Sequence, residues 1–180
     1  MTEQHAHTPT DTPFWRFSLT FYRQAGVAEA CIALQDECGV DVNLMLFVLW
    51  LATGGRQLST TDVKELDDAV RGWRELTIIP IRDVRRKLKG ASTLVAAGKQ
   101  EAFRTKIKAV ELEAERLQQE ALYARSRSVS RSGDAAAPAA AARANLAAYE
   151  GVLGVRFARS IVNRLASAFE ALKFDDFAAP

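Results

Sequence analysis

The chain is poor in the residues that carry most enzyme chemistry: it has two histidines and two cysteines. His5 and His7 both fall in an unpatterned polar stretch. No Ser/His/Asp or Cys/His set can therefore be assembled from a helical core. A His-x-His pair can hold a metal loosely, but a solvated segment is the simpler expectation. Cys31 and Cys38 lie seven residues apart on one expected helix, about 10 Å at the α-helical rise, beyond the roughly 7 Å that a disulfide spans. Both read as small apolar residues of a packed face. No G-x-x-x-x-G-K-[ST] or G-x-G-x-x-G occurs, so no phosphate-cradling loop and no cofactor is expected. The longest apolar run, Leu44 to Ala52, is nine residues, about half of the roughly 20 that cross a bilayer. No membrane span follows, and the polar opening residues lack the pattern of a secretory signal, so the expected location is the cytoplasm.

Alanine is plentiful, with 31 residues against 10 glycines and 5 prolines. That composition favours helix over strand. Thr12-Pro13 opens a first helix rich in aromatics, and Val27 to Cys38 forms a second that stops at Gly39. Asp41 caps a third, Val42 to Thr53, apolar on every side apart from Asn43, as befits the centre of a bundle. A surface helix follows the Ser59-Thr60-Thr61-Asp62 caps, and Pro80 predicts a kink or short break. A long helix then carries Phe103, Ile107, Val110, Ala114, Leu117 and Ala121 at heptad-like spacing, which predicts a buried seam. The expected fold is all-α, an irregular bundle of about six to seven helices around the buried third. Its expected parts are a disordered tail (1–12), a helical core (13–125), a flexible linker (126–138), one last helix packed on the core (139–173) and a tail (174–180).

Candidate chemistry is sparse, and no catalytic set is expected. Asn43 shares a face with Leu46, Phe47 and Trp50, so its amide is expected to be buried and to need partners. With Trp15, Trp50 and Asp41 it marks the candidate pocket. Glu111 and Glu115 sit one turn apart, where like charges repel unless cations answer them; ion pairing is the first expectation and a divalent-cation site a weaker one. Arg82, Arg85, Arg86, Lys87 and Lys89 make a basic patch able to meet phosphates, although the whole chain carries only +2. Phe174-Asp-Asp-Phe177 has the form of a short docking peptide, with a frayed tail as the simpler expectation.

Several polar residues recur at fixed spacing inside these apolar helices: Phe21-Tyr22, the Ala-Cys-x-x-Leu-Gln run from Ala30 to Gln35, and Gly-x-Asp-Val-Asn-x-x-Leu from Gly39 to Leu46. Through them the segment Phe14 to Ala52 resembles an uncharacterised proteobacterial family of small all-helical cytoplasmic proteins, a domain of unknown function. The likeness extends through Trp73, Pro80-Ile81-Arg82 and Glu111 to Glu115, over roughly 13 to 122, and implies no activity. The favoured function is a non-catalytic adaptor or regulatory module whose partner is another protein, or a second copy of itself. The alternatives are a small-molecule binder or enzyme with a pocket near Asn43, Trp15 and Trp50, in which Glu111 or Asp41 serves as acid or base, and nucleic-acid binding through Arg82 to Lys89.

Overall fold

The computed structural model describes residues 12–90, 94–129, 136–174, 177 and 179, and among them it is all-α. Helix α1 (Pro13–Tyr22) starts where Thr12 Oγ1 accepts the Trp15 N–H at 3.1 Å, with Pro13 at the first position, whose N–H would be unsatisfied anyway. Helix α2 (Val27–Cys38) is bracketed by Gly26 and Gly39, both at positive φ. Helix α3 (Val42–Thr53) is capped by Asp41 and buried at every position from Asn43 onward. The expected bounds of α2 and α3 match.

Helix α4 (Thr60–Trp73) begins with a capping box between Ser59 and Asp62. Beyond it the helical hydrogen bonding does not break. A π-helical turn (Arg74–Ile78) leads straight into α5 (Ile79–Lys87), with the Ile79 N–H reaching back five residues to Arg74 O. In a regular helix Pro80 would clash with the carbonyl four residues earlier. The wider turn ahead of it absorbs that conflict. Trp73 Nε1 pins the turn by donating to Ala114 O of α6 (Ala97–Arg125) at 2.9 Å.

Three expectations need correction. In α6, Phe103, Val110 and Leu117 are exposed, while the buried positions are Glu111, Ala114, Gln118, Gln119 and Leu122. The helix packs through polar groups because the surfaces it meets are polar, as shown below. The last helix is two: α7 (Pro138–Leu153) ends at Gly154, at positive φ, and α8 (Arg159–Glu170) starts after a short extended stretch. The C-terminal residues are not frayed where they are described: Phe177 O accepts the Trp50 indole N–H at 2.8 Å, and the Ala179 N–H donates to Thr53 Oγ1 at 2.9 Å. Residues 1–11, with His5 and His7, and residues 130–135 of the expected linker lie outside the described part. Its described flanks are tied down, with Ser126 O accepting from Arg56 and the Ala136 N–H donating to Gly55 O.

The core centres on α3, against which α7 packs most extensively. Phe14, Phe17 and Phe21 cover one side of it, Leu146 and Tyr149 close another, and Phe169 packs behind Phe17 and Phe21. Asn145 is wholly buried and joins three backbone groups: it accepts the Leu58 N–H at 2.7 Å and donates to Val48 O at 2.8 Å and Arg56 O at 3.0 Å. No helix among the described residues is long and apolar enough to cross a membrane.

Candidate functional site

On α1 the aromatic sequence divides by face. Phe14, Phe17 and Phe21 point into the core, and Trp15, Ser18, Leu19 and Tyr22, spaced by three and four, form the opposite face. That second face is one wall of a groove of about 910 Å³, at the upper end of the range that takes a small organic molecule. The N-terminal turns of α3 contribute Val42, Asn43 and Leu46, and α2 contributes Ile32, Gln35 and Asp36. The far wall is α5 with Arg82, Arg85 and Arg86, backed by Lys108, Glu111, Leu112, Glu115 and Gln119 along one face of α6.

The electrostatics of the far wall explain why α6 turns its charged face inward. Arg82 donates to Glu111 at 2.9 Å and to Glu115 at 2.6 Å, and Arg85 grips both oxygens of Glu111. Arg86 reaches Asp36 of α2 at 2.8 Å. Burial acts to raise the Glu111 carboxyl, but the guanidiniums of Arg85 and Arg82 outweigh it and hold the group below the usual range. Glu115 goes the other way: burial, reinforced by the charges of Glu111 and Asp41, lifts it above the usual range despite Arg82. Three of the five residues of the sequence's basic patch are thus engaged by carboxylates. Six cations and three carboxylates line the groove, and Arg23, Lys89 and Lys108 form no salt bridge among the described residues. The groove is therefore electropositive with apolar walls.

The candidate pocket residues divide. Trp15 and Asn43 line the groove, and Asp41 lies in an adjoining hollow of about 200 Å³ beside Arg74 and Gln118. Trp50 does not belong there: it is fully buried, packed against Phe14, Phe47 and Tyr123. It shares the Asn43 side of α3 but sits two turns further along, beneath α1. Asn43 itself is partnered, donating to Gln118 Oε1 at 3.3 Å and accepting from Gln119 Nε2 at 2.8 Å. Among the described residues no cluster of His, Cys, Asp and Glu is arranged to hold a metal; Glu111 and Glu115 face guanidiniums. Gln118, Gln119 and Ser18 went unmarked in the sequence.

A family model described as Protein of unknown function (DUF2390) matches residues 13–122. Every groove residue named above falls within that segment. Neither the curated proteins nor the solved structures contain a match.

Proposed function

Because the chain belongs to the DUF2390 family, whose function is not known, we infer its role from geometry, and propose that it binds an amphipathic organic anion in the groove between α1, α5 and α6. The observation that carries this reading is the pairing of exposed apolar side chains, Leu19, Tyr22, Ile32 and Leu112, with cations that no neighbouring carboxylate answers. Large exposed apolar side chains gathered in one concavity rather than scattered mark a binding surface. The groove supplies no nucleophile-base pair, so the reading is of binding rather than catalysis. Calorimetric titration with dodecanoate is expected to give saturable binding, weakened about fivefold by Lys108→Glu through loss of one attractive charge and gain of a repulsive one. Arg156→Glu, remote from the groove, serves as the control. Absence of measurable heat and of any shift in melting temperature at saturating dodecanoate would sink the proposal.

A second reading, the adaptor module, is favoured by α6. Phe103, Val110 and Leu117 are exposed and recur every seven residues, the repeat that seats a second helix. The occupant we infer is the same stripe of a second copy. Sedimentation equilibrium would read a dimer, and a monomer at high concentration would retire this reading. Nucleic-acid binding draws less support, since Arg82, Arg85 and Arg86 already meet carboxylates.

A further inference from the structure

Two residues that line the groove each carry a buried polar atom with no hydrogen-bond partner among the described residues: Ser18 Oγ and Gln119 Oε1. Their residues are only 4% and 7% exposed. A buried acceptor left without a partner is costly, so each such atom asks for an explanation. For Gln119 the explanation starts at Asp41. Asp41 Oδ1 accepts the Asn43 N–H at 2.9 Å, and Oδ2 accepts Arg74 Nη1 at 2.8 Å, so both oxygens act as acceptors. Gln118 therefore turns its NH2 group towards Asp41 Oδ2 and its oxygen away. That oxygen accepts from Asn43 Nδ2, which leaves Asn43 Oδ1 to accept from Gln119 Nε2.

Each amide in this relay has one oxygen and one NH2 group, and only one alternation satisfies all of them. Reversing one amide sets oxygen against oxygen; reversing all three sets Gln118 Oε1 against the Asp41 carboxylate. The carboxylate at one end thus decides what is left at the other: Gln119 Nε2 is turned to Asn43, and the Gln119 oxygen is left without a partner.

We propose that the groove selects an amphipathic acid bearing an N–H donor between its apolar tail and its anionic end, the N–H being received by Gln119 Oε1. This deepens the groove reading and rests on it. The tail lies along Trp15 and Leu19, and the anion lies in the net positive field of the groove. Ser18, whose hydroxyl both donates and accepts, completes the polar contact.

The test uses two probes that differ at one atom, N-dodecanoylglycine with its amide N–H and N-dodecanoylsarcosine with N–CH3, together with dodecanoate, all below their micelle concentrations. The wild-type chain is expected to prefer the glycine compound by roughly tenfold, the worth of one desolvated hydrogen bond. Gln119→Leu removes the acceptor at similar volume and is expected to abolish the preference. A thermal melt establishes that the variant is folded. Equal affinities for the two compounds in the wild type would mean that water rather than ligand meets Gln119, and would overturn the proposal while leaving the groove reading intact. A preference that survives Gln119→Leu would trace to crowding by the methyl group and overturn it likewise. Binding of dodecanoate alone has the same effect, whereas binding of none of the three removes the groove reading and this proposal with it.

Discussion

Glu111 shows how much a single side chain can organise. It is 4% exposed, and two guanidiniums from another helix close on it. Its carboxyl is held below the ordinary 4.5 by Arg85 and Arg82 acting against burial. A depressed carboxyl binds fewer protons folded than unfolded, so its contribution is complete above about pH 4.5 and declines as pH falls through the lowered value. Denaturation measured between pH 6 and 3 is expected to show a steeper loss in the wild type than in Glu111→Gln. The variant itself should be less stable at pH 7 by about 2 kcal/mol, because two part-buried guanidiniums lose their partner. A variant whose acid profile matches the wild type would refute that assignment. At this scale the sequence was legible for Asn43 and Glu111, since a polar group set in an apolar or like-charged context must find a partner. It misplaced Trp50, because periodicity gives the side of a helix and not the height at which a neighbour crosses it.

Among the elements, α1 to α4 could be read from their caps: Thr12-Pro13, Gly39, Asp41 and Ser59 each solve a local problem of unpaired backbone groups. The two misread boundaries depend on context. Gly154 lies inside an apolar stripe that continues across it, and only its positive φ reveals the stop. Pro80 looks like a breaker until the π turn ahead of it accommodates the ring. In α6 the apolar stripe was recognised but placed on the wrong side, because Arg82 and Arg85 of α5 and Asn43 of α3 offer partners that only its polar face can use. Val110→Glu and Leu117→Glu together are therefore expected to change the stability of the monomer by no more than about 0.5 kcal/mol, as read by urea denaturation. Loss of several kcal/mol would mean that the stripe is core after all. The same double variant should be monomeric wherever the wild type dimerises.

The molecule as a whole extends its core beyond the family segment, which ends at residue 122. Leu146, Tyr149, Leu165 and Phe169 are as buried as anything in α3, and Tyr149 Oη accepts the Asp41 N–H at 2.9 Å. The sequence placed a helix here and had it pack on the core, although the resemblance stops short of it. Nothing in an alanine-rich helix announces that its one asparagine will join three distant backbone groups. Asn145→Ala is expected to cost about 3 kcal/mol, since the Leu58 N–H and two carbonyls lose a buried partner together. Thermal and urea denaturation would show it, and a loss below about 1 kcal/mol would contradict the arrangement.

The distance along the chain between α3 and its cover also bears on synthesis. Asn145 meets Val48 across 97 residues, and Phe177 meets Trp50 across 127. At ribosomal rates of about 5–20 residues per second, the most apolar helix of the protein waits on the order of 5–20 s before α7 can close over it. During that interval the side of α3 that α7 covers stays open, an apolar surface of the kind that chaperones hold. Substitutions in α7 should for that reason lower the yield of folded protein in the cell more than they lower the stability of molecules that have already folded.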